Sequence, residues 1–163
     1  MKILTSCRGY GGSEKSTIML MRMFLERGYR VDLIPWGGEE KVCAPYRAAI
    51  PEGVNISKDL RSECDALLYY TTDTVYFPEM KDAAFDDLMG GIRAERKAMC
   101  VNYRIGHLKE KEWAKGWDLY LFLCSQKDAE WRDKVGAEHT AVLPPPTDLT
   151  DFFKNFLHQL EMV

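Results

Sequence analysis

Met1-Lys2-Ile3-Leu4-Thr5-Ser6-Cys7-Arg8-Gly9-Tyr10-Gly11-Gly12-Ser13-Glu14 opens the stretch, running to Trp36, whose reading decides the fold. The apolar run Met1 to Cys7 breaks into the glycine-containing segment Arg8 to Glu14. A segment with helical periodicity follows to Gly28, and Val31-Asp32-Leu33-Ile34-Pro35 is a second apolar run. Strand, glycine turn, helix and strand in that order begin a nucleotide-type α/β fold. In such folds ligands bind at the carboxyl ends of the strands, where helix N-termini present free N–H groups to anions. The candidate site therefore lies near residues 8 to 16.

Working outward, Ser13 is the expected N-cap of the first helix. Ile18, Met21, Phe24 and Leu25 form its apolar face, and Gly28 closes it at C′. The second strand, Arg30 to Pro35, turns at Trp36-Gly37-Gly38. Residues 39 to 62 carry little pattern beyond a short strand at Val54-Asn55-Ile56. Further strands are expected at Ala66 to Tyr70, Ala98 to Tyr103, Leu119 to Cys124 and Thr140 to Leu143. Helices are expected from Pro78 to Arg96, weakened at Gly90-Gly91, over Lys109 to Lys115, and from a Ser125 cap to about Val135. Pro144-Pro145-Pro146 ends the last strand, and Thr150 to Met162 reads as an amphipathic tail helix. Strands without strict alternation, separated by helices, predict an α/β, three-layer Rossmann-like domain with a mainly parallel sheet. The domain is expected to cover residues 1–149, and residues 150–163 form a terminal helix or a truncated interdomain linker.

With 163 residues, the chain suits one domain with a sizeable core. Hydrophobic residues make up 46% and charged residues 29%, a composition that argues against a disordered or fibrous chain. Lys and Arg are scattered among Asp and Glu at a net charge of −3, which gives no sign of a nucleic-acid footprint. The five cysteines have no CxxC spacing, which argues against a zinc site or disulfide framework and for a reducing, cytoplasmic setting. Met1-Lys2 leads straight into a strand-length run ended by Arg8, so no signal peptide is expected. No run approaches the roughly 20 apolar residues of a membrane span.

Residues 9 to 16 admit three readings. A phosphate-binding loop needs G-x4-G-K-[ST]; Gly9, Lys15 and Ser16 fit, but Glu14 stands where the second glycine belongs. The dinucleotide fingerprint G-x-G-x-x-G fits Gly9 and Gly11 and fails again at Glu14. The third reading is a resemblance. Gly11-Gly12-Ser13-Glu14, with the helix end Leu25-Glu26-Arg27-Gly28-Tyr29-Arg30-Val31, resembles the opening of the GT-B glycosyltransferases, in the large retaining group called family four. Trp117 to Ser125 resembles that family's aspartate, apolar strand and serine. Gly136 with Val142-Leu143-Pro144-Pro145-Pro146-Thr147-Asp148, and Phe152 four residues on, resembles its G…P-x-G-x-D-x3-F segment.

The resemblance spans residues 1 to 152 and implies an acceptor-binding N-terminal domain. Its substrates would be a sugar acceptor and a nucleotide sugar, with no further cofactor and no metal. In the family a second Rossmann-like domain, starting after the position of Phe152, grips the donor; eleven residues remain here. The implied partner is a separate donor domain, or a second copy joined through the tail helix. Gly11, Gly12, Ser13 and Glu14 carry over as substrate-binding residues, and Arg8 is a candidate phosphate partner. Thr72 and Asp73 follow one strand; Asn102 and Arg104 follow another. The family often places a histidine near Asn102-Tyr103-Arg104, and His107 is the catalytic candidate. A stand-alone, non-catalytic binding or regulatory module with the same fold is the alternative.

Overall fold

The computed structural model describes residues 1–70, 83–101, 111–122, 132 and 137–142. Ten elements carry the fold: β1 Lys2–Thr5, α1 Gly12–Glu26, β2 Asp32–Pro35, α2 Ala44–Ala49, β3 Asn55–Ile56, β4 Cys64–Tyr70, α3 Ala83–Gly90, β5 Ala94–Val101, β6 Leu119–Phe122 and β7 Thr140–Val142. The strands form one seven-stranded sheet in the order β3-β2-β1-β4-β5-β6-β7. Every described pair is parallel, so the expected mainly parallel sheet is parallel throughout.

Alternation along the strands sends side chains to two cores. Ile3, Leu33 and Leu68 join Ile18, Leu20, Met21 and Phe24 of α1 on one face. Leu4, Ile34, Leu67 and Tyr69 join Phe85 and Met89 of α3 on the other. Helices on both faces of a parallel sheet make the domain a three-layer α/β, Rossmann-like fold. On the α3 face Tyr69 meets Phe85, Trp113 and Trp117 in one aromatic cluster. Both indoles there have partners: Trp113 Nε1 donates to Asp86 at 2.8 Å and Trp117 Nε1 to the Trp113 carbonyl at 2.7 Å.

Helix α1 ends as expected. The Tyr29 N–H reaches the Phe24 carbonyl and the Gly28 N–H the Leu25 carbonyl, with Gly28 at φ +81°. That is a Schellman motif, and the Phe24 and Tyr29 rings supply its hydrophobic contact at 5.5 Å. The start of α1 differs from expectation. Gly11, extended at φ −94° and ψ −157°, is the N-cap, and Ser13 lies inside the first turn.

Three further differences are tertiary in origin. The helix expected to reach Arg96 ends at Gly90, because Ala94 and Arg96 pair with Cys64 and Ala66 in the sheet. The helix expected over Lys109 to Lys115 is a single 3₁₀ turn at Glu112–Ala114 among the described residues. Residues 39 to 62 contain α2, which opens with Pro45 in its first turn and buries Tyr46. The expected Ser125-capped helix, the triple proline and the tail lie outside the described residues, apart from Arg132.

Candidate functional site at the open glycine turn

β1 sits between β2 and β4. From β1 the chain passes to α1 on one face, and beyond β4 it reaches α3 on the other. The carboxyl ends of β1 and β4 are therefore the point where successive connections diverge, the place where open parallel sheets form a crevice. The glycine turn stands at this edge. Gly11 and Gly12 are exposed, and a Cβ built on Gly12 would meet nothing within 4 Å.

Glu14 organises the turn. Its Oε2 accepts the Gly11 N–H at 2.9 Å. A Cβ on Gly11 would lie 3.3 Å from Glu14 Oε2, and one on Gly9 would lie 3.4 Å from Oε1. The carboxylate thus lies across the backbone where an anion would otherwise sit. It is half of a capping box, since a glycine at the cap has no side chain to return the bond. A negative group at a helix N-terminus also opposes the partial positive charge there.

Beneath the turn is a buried polar brace. The Thr17 hydroxyl donates to the Glu14 carbonyl at 2.8 Å and lies 2.7 Å from the Tyr46 hydroxyl. Thr17 has a single proton to give, so Tyr46 is the donor in the second bond. The Cys43 N–H bonds the Cys7 carbonyl at 2.9 Å, and the Cys43 thiol lies 3.2 Å from the Gly9 carbonyl. Burial pushes the Cys7 thiol up to about 12 and raises the Tyr46 phenol as well. Neither ionises near neutrality, so both act as scaffold. Above them Tyr10 is 39% exposed, with its ring edge-on to Tyr46 at 6.3 Å and Lys15 Nζ 5.6 Å from its centroid. Sequence reading missed Tyr46 because its helix is one and a half turns long; Pro45 near a helix start was its one local signal.

Of the sequence-derived candidates, Arg8, Gly11, Gly12, Ser13 and Glu14 share this edge. Arg8 turns towards the loop after β2: a Cβ on Gly37 would lie 2.7 Å from Arg8 Nη2. Thr72, Asp73, Asn102, Arg104 and His107 lie outside the described residues. Tyr70, at 3% exposure, belongs to the core. His139 Nδ1 is 3.3 Å from the Asp118 carbonyl oxygen, a structural position away from the turn.

At the opposite, amino-terminal edge of β4 and β5, a hollow of about 430 Å³ is lined by Glu63, Cys64, Asp65, Arg93, Ala94 and Glu95. Its mixed exposed charges present no convergent set of donors. Among the described residues no group of three His, Cys, Asp or Glu side chains could hold a metal ion, and no helix is long and apolar enough to cross a membrane. Compared with protein-family models, curated proteins and solved structures, the chain gives no match.

Proposed function

We propose that this domain is the acceptor-binding side of a sugar-nucleotide-dependent glycosyltransferase, working with a separate donor-binding domain. The observation that carries the reading is the Glu14 carboxylate held in the glycine turn by the Gly11 N–H. A turn with free amides attracts phosphate. A turn already holding a carboxylate repels it, which disfavours both the phosphate-loop and dinucleotide readings. The same carboxylate keeps most of its acceptor positions for donors from a ligand, and ligands dense in O–H donors are sugars. Gly12 leaves space beside it, and the exposed Tyr10 ring offers an apolar face for the C–H side of a pyranose.

On this reading Gly11, Gly12, Ser13 and Glu14 line the acceptor. Thr72 and Asp73, which follow β4 in the sequence, and Asn102 and Arg104, which follow β5, are the further proposed acceptor contacts. His107 is the proposed proton acceptor for the attacking hydroxyl. Isothermal titration of the full chain with methyl hexosides, then with UDP- and GDP-sugars, tests this. The reading expects hexoside binding that Glu14→Gln weakens about tenfold, the worth of one hydrogen bond to a charged group. Hexoside binding indifferent to Glu14, or preference for ATP with Mg²⁺, would transfer the case to a stand-alone binding module or a nucleotide binder.

A further inference from the structure

Two buried polar atoms on the α3 face have no role in the glycine turn. Ser6 Oγ and Trp36 Nε1 are both shielded from solvent and lack a hydrogen-bond partner. Ser6 follows β1 directly and Trp36 follows β2 directly, one residue beyond the paired Thr5 and Pro35. The Trp36 N–H continues the ladder by donating to the Thr5 carbonyl at 2.9 Å. Alternation puts Ser6 on the Leu4 face and Trp36 on the Ile34 face, which is the same side of the sheet. Ser6 and Trp36 therefore take corresponding register positions on the same side of the sheet, each one residue past the pair Thr5 and Pro35.

The other two indoles among the described residues differ from Trp36. The indole N–H groups of Trp113 and Trp117 both have partners, and buried Thr17 bonds Tyr46. An unpaired buried donor is costly because its lost water contacts are not replaced, and here two adjoin the sheet edge where ligands of such folds bind. An indole N–H only donates, so the missing partner is an acceptor. The Arg8 guanidinium lies against Gly37 and the Glu40 carboxylate against Gly38, the two residues that follow Trp36.

We infer that Ser6 and Trp36 form an oxyanion subsite, taking a phosphate or carboxylate oxygen of a ligand on the opposite face of β1 from the glycine turn. This stands apart from the acceptor reading and requires no sugar. The test is indole N–H NMR on the full chain labelled with ¹⁵N-tryptophan, with Trp36→Phe assigning the signal. Sodium phosphate and sodium acetate are titrated separately at ionic strength held constant with sodium chloride. The Trp36 signal should move downfield and saturate; phosphate alone doing so marks a phosphorylated ligand, and acetate a carboxylate. Ser6→Ala should weaken that binding about tenfold while leaving the melting temperature of the unliganded chain unchanged or higher. A Trp36 signal stationary in both titrations overturns the inference. So does a lower melting temperature for Ser6→Ala, which would mark a hydroxyl already satisfied by resident water.

Discussion

Glu14 Oε2 and the Gly11 N–H meet at 2.9 Å, so the first helix of this fold closes its own N-terminus with a carboxylate three residues on. The same contact stabilises the helix start and changes what the turn can bind. Removing it should separate those two effects. Glu14→Ala is expected to lower stability by about 1 kcal/mol, the usual worth of a lost cap, and to raise affinity for inorganic phosphate at the vacated amides. Urea denaturation and phosphate titration of the same variant check both. Loss of stability with no gain in phosphate binding would mean that the carboxylate only caps.

The brace under the turn is tested at Tyr46. Tyr46→Phe removes the donor to Thr17 Oγ1 and leaves the Thr17 bond to the Glu14 carbonyl in place. About 1–2 kcal/mol of destabilisation is expected. Thr17→Val should remove the same bond, so a double-mutant cycle should show coupling of 0.5 kcal/mol or more. Additive effects would show that the two hydroxyls do not depend on each other.

Glycines near the edge should respond oppositely to alanine. Gly37 has φ +84°, and its Cβ would lie 2.7 Å from Arg8 Nη2, so Gly37→Ala is expected to cost more than about 1 kcal/mol. Gly12 opens α1 with nothing within 4 Å of a Cβ, so Gly12→Ala should be neutral or stabilising by up to about 1 kcal/mol. Chemical denaturation of the pair checks the contrast, and equal effects would contradict the assigned backbone.

Burial of Cys7 and Cys100 pushes both thiols up to about 12 from an ordinary value near 9. Both are neutral in the folded chain across that window, whereas the unfolded chain loses their protons from pH 9 upward. Their contribution to stability is complete below pH 9 and lost as pH rises towards 12, at up to about 1.4 kcal/mol per pH unit for each thiol. Cys7→Ala should flatten the alkaline fall in unfolding free energy. An unchanged slope would show that Cys7 ionises without unfolding.

Much of this fold was legible in the sequence because parallel strands buried on both faces are written as continuous apolar runs. Ile3-Leu4, Leu33-Ile34 and Leu67-Leu68 each feed both cores. The Gly28 helix end was legible because only a left-handed residue completes the Schellman bonds. The α3–β5 boundary was not, because Glu95 and Arg96 are exposed charges that suit a helix; pairing with β4 decides their state. The cap of α1 was misplaced by two residues, since Gly11 and Ser13 both suit a cap and the reach of Glu14 selects Gly11. The glycine turn was visible as a motif. The Ser6–Trp36 juxtaposition was not, because it exists only once β1 and β2 are in register.

We propose that the open turn at Gly11 and Gly12 binds hydroxyl-bearing ligands beside Glu14. Amide NMR of the full ¹⁵N-labelled chain, titrated with methyl α-glucoside and methyl α-mannoside, tests it most directly. The largest shifts are expected at Gly11, Gly12 and Ser13, and they should be lost in Glu14→Ala. Shifts confined to Glu63, Asp65, Arg93 and Glu95 at the opposite edge, with Gly11 and Gly12 unmoved, would contradict it.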